Sequence, residues 1–369
     1  MSEGFTRREM IGASAVALTL AGTAAKGAPR AAAASQGRRR ERLVNWRFHL
    51  GNAADIEKDF GFGLDQQTFA KADAAAPAAM PKFDDSSWQK VVVPHDWAVA
   101  LHFAEGPKVK GSDRGAAHGF KAIGRDYPEN SIGWYRIPVD ISPSDRGRRI
   151  WLEFDGVFRN AIVFVNGYDA IRSESGYAPF YVDIADFLDF EGGPNVVTVR
   201  CDATLGEGWF YEGAGIYRHV ELVRADPLHI PPWGVVVTSD LSPAGAQIGV
   251  STEVLNSSAH AVDALLRLTL MGPDGRSVAV DEGMPISLAA GEQRTFQQQA
   301  KVGAPRLWST EAPNLYVARV ELLRGNKRLI DNIDTRFGIR TAHFDPERGF
   351  LLNGNPVKLL GTANHQDHA

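Results

Sequence analysis

From Leu43 onward, apolar residues recur, in places at every second position, in short runs broken by Gly, Pro, Asn and Asp. Trp46-Arg-Phe-His-Leu50 and Asn195–Cys201 carry this period, and Val91–Val93, Gly133–Val139, Arg149–Phe154, Ala161–Val165 and Tyr217–Val223 are short apolar-rich runs bounded by the same turn residues. Alternation of that kind marks strands with one face in a core. The dipeptide Asn166-Gly167 after Ala161–Val165 predicts a tight hairpin. Short strands at this spacing over residues 43–225 predict a sandwich of jelly-roll type. Two long Gly- and charge-rich loops, residues 51–80 and 104–131, interrupt it, and loops of that length usually carry function or lack order.

Pro227-Leu-His-Ile-Pro-Pro232 reads as a joint. Beyond it, Gly234–Thr238, Gln247–Val254, Ala264–Met271, Thr295–Val302 and Leu315–Leu323 alternate again. Residues 226–338 are therefore expected to form an immunoglobulin-like sandwich, without the cysteine pair that marks many such domains. Phe350-Leu-Leu-Asn-Gly354 predicts a hairpin, followed by an apolar run at Val357–Leu360 and a polar cluster at Asn364-His-Gln-Asp-His368. A buried strand ending in polar groups is how a (β/α) barrel presents its active-site residues. Residues 339–369 are expected to begin such a barrel, which needs roughly 200 residues or more. The expected fold class is all-β, with two sandwiches and then the first strand of a (β/α)8 barrel. The chain thus reads as the front part of a larger enzyme.

Composition narrows the partners. With 369 residues, 44% hydrophobic and 23% charged, the chain has the make-up of a globular protein of several domains. A net charge of −4 carries no basic excess, which argues against nucleic acid. Cys201 is the one cysteine and sits in an alternating run, as a core thiol would. At the N-terminus, Arg7-Arg8 precedes the apolar stretch Ile11–Ala25 and small residues at Ala31–Ala34. Residues 1–34 read as a Tat-type leader for export to the periplasm or beyond, with a Sec leader as the alternative. The stretch is too short and too weakly apolar for a membrane span. Residues 35–42, Ser-Gln-Gly-Arg-Arg-Arg-Glu-Arg, read as a charged linker.

Candidate chemistry lies in two places. Trp209-Phe-Tyr-Glu212, with Glu207 just before it, mixes aromatic rings and acids as a sugar-binding surface does, although the same residues would serve as core anchors. The second place is the terminal cluster. His365 and His368 lack a third ligand at metal spacing, so no metal and no other cofactor is expected. Gly213-Ala-Gly215 lacks the third glycine of a dinucleotide loop and reads as a turn. His95-Asp96 reads as a pair that orders its own loop.

An ordered set of segments resembles the exported β-galactosidase branch of glycoside hydrolase family 2. The set comprises Phe83–Trp88, Val93-Pro-His-Asp-Trp97, Gly133-Trp-Tyr-Arg136, Phe154–Val157, Val165–Gly167, Gly176–Phe180, Glu212–Arg218, Arg336–Arg340, Phe350–Gly354 and Gly361–His368. The resemblance implies a jelly-roll sugar-binding domain, an immunoglobulin-like domain and a barrel. It also implies retaining hydrolysis of a β-galactoside-containing carbohydrate by two Glu that lie beyond Ala369, so no catalytic residue is expected in this chain. Of the family's Asn-Arg-His-Glu motif, His365 matches the His that contacts substrate. Asn364 stands where Arg is usual and Gln366 where Glu is usual, leaving Asp367 and His368 as the substitutes the segment offers. Phe158 replaces an Asn that reaches the sugar in another branch. Glu207, with Trp209 beside it, matches the region where a further branch places an acidic sugar ligand. Galactoside, glucuronide and mannoside specificities share this architecture. A carbohydrate-binding module without catalysis is the alternative from another class, and the barrel-like segment 349–369 disfavours it.

Overall fold

The computed structural model describes residues 37–63, 77–105, 119–205 and 213–363. Among them only short 3-10 turns separate the strands, and the chain is all-β. In the first sandwich the strands are β1 (Arg39–Arg42), β2 (Asn45–Leu50), β3 (Gln89–Val92), β4 (Phe103–Glu105), β5 (Gly119–Lys121) and β6 (Ile132–Val139). They continue as β7 (Arg149–Phe154), β8 (Ala161–Val165), β9 (Tyr168–Ser173), β10 (Phe180–Asp183), β11 (Asn195–Asp202) and β12 (Val220–Ala225). A four-stranded sheet, β1-β12-β7-β10, faces a six-stranded one, β3-β2-β6-β11-β8-β9, in the jelly-roll manner, while β4 and β5 form a hairpin of their own. The core between the two sheets includes Leu152, Phe154, Val163, Val199, Cys201 and Leu222. Each fully buried aliphatic side chain contributes about 1.5–3 kcal/mol. Burial also pushes the Cys201 thiol far above its ordinary range, so it stays protonated.

Strand β11 is buried along both faces, which alternation alone does not anticipate. The cause is a cover layer. Residues 51–63 and 77–88 lie over the outer face of the six-stranded sheet and build a second core with Trp88, Ile132, Trp134 and Phe164. Polar groups fix this layer. Asp59 accepts from Trp134 Nε1 at 2.7 Å and from Arg200 at 2.8 and 3.1 Å. Arg136 donates to Asp85 at 3.0 Å and to the carbonyl oxygens of Ala78 and Met80. The described part of the first long loop is thus a structural lid on the sheet.

The second sandwich comprises β13 (Leu228–His229), β14 (Val235–Ser242), β15 (Gly245–Asn256), β16 (Val262–Met271), β17 (Ser277–Leu288), β18 (Gln293–Val302), β19 (Tyr316–Arg324) and β20 (Arg328–Phe337). Strands β13 and β14 lie on one side of β15 with β18 on the other, and β17-β16-β19-β20 forms the facing sheet. This is an immunoglobulin-like arrangement. Ile248, Val250, Leu268 and Val320 occupy its middle, so packing does what a disulfide does elsewhere. A small sheet follows, made of β21 (Ala342–Asp345), β22 (Gly349–Leu352) and β23 (Asn355–Pro356). Its turn at Asn353-Gly354 has positive φ at both positions, 52° and 78°, as the Asn-Gly pair predicts. Asn353 Nδ2 ties it to the second sandwich through the Trp308 carbonyl oxygen at 3.0 Å. Among the described residues, Val357–Leu360, expected as a strand, pairs with no neighbour beyond one bond from Val357 N–H to the Phe350 carbonyl oxygen, and Leu360 is 83% exposed.

One expectation is corrected. Residues 35–42 were expected to be a linker, yet Arg39–Arg42 is strand β1, antiparallel to β12 with Arg39 opposite Arg224 and Arg42 opposite Glu221. A run of charge makes a stable edge strand when its neighbours carry the complement. Arg39 donates to Asp145 at 2.7 Å, Glu41 accepts from Arg224 at 2.9 Å, and Arg40 joins Glu153 to Glu221. Arg38 goes further and ties the two sandwiches together. Its guanidinium lies 5.1 Å from the Trp151 ring centre and donates to Asp331 of β20 at 2.8 and 2.9 Å and to the Ile230 carbonyl oxygen.

Breaking this buried pair from one side leaves a charge without its partner. R38A is expected to lower unfolding stability by about 3–5 kcal/mol, and R38M with D331L to recover most of the loss. Urea denaturation of the two variants checks this, and additive losses would refute it. Nearby, burial lowers the pKa of His229 to about 4 from an ordinary 6.5, with Arg38 and Arg149 pushing the same way. Between those two values the unfolded chain takes up a proton that the folded chain refuses. Stability is therefore full above pH 6.5 and falls by up to roughly 3 kcal/mol on the way to pH 4. H229F keeps the ring against Trp151 and should flatten the melting-temperature profile over that window.

Candidate functional site

Four stretches of the first sandwich meet at one end of its sheets. They are residues 94–97 after β3, 158–160 between β7 and β8, 176–177 between β9 and β10, and 213–218 before β12. Backbone bonds lace them together. Phe158 and Gly215 exchange two hydrogen bonds, at 2.9 and 2.6 Å. His95 N–H donates to the Ile216 carbonyl oxygen at 2.8 Å and Trp97 N–H to that of Ala214 at 3.1 Å. Asp96 is the organising side chain. Its Oδ1 accepts from the Ala98 and Ala214 N–H groups, both at 2.9 Å. Gly213 and Gly215 on either side of Ala214 have φ of +77° and +116°, and a Cβ at Gly213 would sit 2.8 Å from the Asp96 carboxylate. Glycine is needed there both for the backbone and for the close approach.

His95 serves order as well. Its Nδ1 is hydrogen-bonded to the Tyr135 hydroxyl at 2.9 Å, and its ring packs against Phe48 at 4.9 Å. Burial holds its pKa below the usual value despite the pull of Asp96, and burial also raises Tyr135 well above its ordinary range. A neutral imidazole on a neutral phenol fixes a loop. The reading of His95-Asp96 as a loop-ordering pair agrees with this geometry.

Phe158 is 3% exposed and packs against Tyr177 at 5.6 Å, so its ring is spent on packing. Tyr177 itself is 61% exposed and is the aromatic face that this end offers to solvent among the described residues. Arg218 lies over Tyr217 at 5.8 Å. An exposed ring such as that of Tyr177 suits the apolar face of a sugar. Arg159 donates to the Leu205 carbonyl oxygen at 3.4 Å and accepts at its own carbonyl from Asp202 N–H at 2.9 Å.

The site residues expected from sequence fall in the gaps. Glu207 and Trp209, like Asn364, His365, Asp367 and His368, lie outside the described residues. Tyr177 and Arg159 were not among them. Tyr177 had a signal, since it sits in the segment Gly176–Phe180, but Arg159 had none.

Residues 228–340 match the family model for glycosyl hydrolases family 2. A β-galactosidase of Bacteroides ovatus is 32% identical over 326 residues, covering 88% of this chain and 34% of that protein. A β-glucuronidase of Bacteroides fragilis is 33% identical over 259 residues, covering 66% of this chain and 36% of its own length. Among solved structures, a glycosyl hydrolase family 2 member from Bacteroides cellulosilyticus superposes with a TM-score of 0.69 at 28% identity, covering 86% of this chain and 38% of that one. A β-glucuronidase of Bacteroides uniformis gives 0.69 at 26% identity, covering 89% and 36%. The chain thus spans about a third of the length of these relatives. The family model fits the second sandwich and the relatives align through both, and on these grounds the chain belongs to glycosyl hydrolase family 2.

Proposed function

We propose that this chain supplies the sugar-binding and immunoglobulin-like sandwiches of an exported retaining glycosidase that hydrolyses β-D-galactosides. The observation that carries the reading is the 32% identity, over 88% of the chain, to a protein named as a β-galactosidase. In this reading the acid/base and nucleophile Glu belong to a barrel beyond Ala369, with carboxyl groups roughly 5–5.5 Å apart for double displacement. The loops around Asp96 and Tyr177 present a sugar-binding edge toward that centre. A β-glucuronide is the second reading, favoured by the names of the Bacteroides fragilis and Bacteroides uniformis relatives. Export rests on the leader pattern around Arg7 and Arg8.

Two measurements test this. With 4-nitrophenyl glycosides, the 369-residue chain should show no turnover, whereas the protein continued into its barrel should cleave the β-galactoside with at least about tenfold higher kcat/KM than the β-glucuronide. Turnover by the 369-residue chain, or the reverse preference, would overturn the assignment. For export, R7K with R8K should hold the precursor in the cytoplasm, as the Tat receptor reads the arginine pair. A double variant that is exported normally would instead indicate a Sec leader.

A further inference from the structure

The turn that opens the second sandwich carries a side chain its backbone disfavours. Gly234 N–H donates to the Pro231 carbonyl oxygen at 3.0 Å, and Trp233 at the third position of that turn has φ of +59°. Turns with Pro at the second position and positive φ at the third normally place Gly or Asn there. A tryptophan in the left-handed region is strained, and strain of that kind collects at functional positions. Core packing does not account for the ring, because Trp233 is 65% exposed. Tyr181, itself partly exposed, meets it edge-on at 5.3 Å and 74°.

Beside this ring runs a cleft of about 410 Å³ between the two sandwiches. Arg40 and Glu153 wall it on one side, and Trp233, Val235, Asp334 and Arg336 on the other. Its size lies within the range of small-molecule sites. Most of its charges are already matched. Arg40 bridges Glu153 and Glu221, and Asp334 takes both donors of Arg319 at 2.8 and 2.6 Å. Arg336 is exposed and has no ion-pair partner among the described residues. The cleft thus combines an open indole face, carboxylates with lone pairs to spare, and one unmatched guanidinium.

We propose that this cleft binds a pyranose bearing a carboxylate. The apolar ring face lies on Trp233, the hydroxyls donate to Glu153 and Asp334, and the carboxylate meets Arg336 as a charge-assisted pair. The site stands independently of which glycoside the enzyme hydrolyses.

The test titrates methyl β-D-glucuronide and methyl β-D-galactoside into the 369-residue chain, followed by calorimetry and saturation-transfer NMR. The wild-type chain should bind the glucuronide more tightly. W233G should weaken it by about tenfold or more while keeping or raising the melting temperature, since glycine fits the positive φ. R336Q should bring the glucuronide down to the affinity of the galactoside. No binding of the glucuronide by the wild-type chain, or equal binding by W233G, overturns the proposal. So does a shift in sedimentation on W233G substitution, which would mean that another protein surface seats on the ring.

Discussion

The Asp331 carboxylate receives four donors, two from Arg38 and the N–H groups of Ile230 and Asn332, with all the bonds between 2.8 and 2.9 Å. Three separate parts of the chain converge on it: the start of β1, the joint between the sandwiches, and β20. Taking two charges out of water is expensive, and an apolar pair of similar shape would match or exceed its net contribution. What the pair adds is geometry. An apolar contact tolerates sliding, whereas a buried carboxylate with four fixed donors does not. This group pins the start of β1 and the joint that leads into Trp233 onto β20, beside the ring contacts of Trp151 with His229 and Tyr181 with Trp233.

The motifs that tie the chain to its family have mostly architectural work in this structure. Asp85 of Phe83–Trp88 pairs with Arg136 of Gly133–Arg136 to close the cover layer. Asp96 of Val93–Trp97 holds the turn of Glu212–Arg218. Arg340 lies over Trp308 at 4.5 Å, while Asn353 bonds the carbonyl oxygen of the same tryptophan, so Arg336–Arg340 and Phe350–Gly354 dock one sheet on another. A family signature built from such residues reports how the scaffold is held and says little about which sugar is held.

The fold was legible because period-2 alternation is a direct record of one-sided burial, as in Ala246, Ile248, Val250 and Val254 along β15. It found β11 but not its double burial: Thr198 and Arg200 keep the sequence alternating, and only the cover layer shows that this polar face is buried too. It failed at Arg39–Arg42, where electrostatic pairing replaces hydrophobic pairing and leaves no apolar trace. The candidate site was less legible. Its network runs through main-chain groups, as between Phe158 and Gly215, and sequence does not display a backbone N–H. Trp233 was hidden for a different reason: an aromatic residue in a Pro-Pro-Trp-Gly turn signals nothing unusual until its φ is known.

The arginines of β1 have a consequence for how the chain is made. Strand β1 is among the first described segments to be synthesised, but its partner β12 lies some 180 residues later, at Glu221–Arg224. The Asp331 that Arg38 needs is 293 residues away. Domains form as the chain emerges, so this segment waits without its partner strand while some 180 residues are made. An apolar segment left waiting that long would recruit any open sheet edge, whereas a positively charged one repels its own copies and stays hydrated. The same charge that disguises β1 as a linker lets it wait safely for β12, and Arg38 beside it finds Asp331 only once β20 of the second sandwich is made.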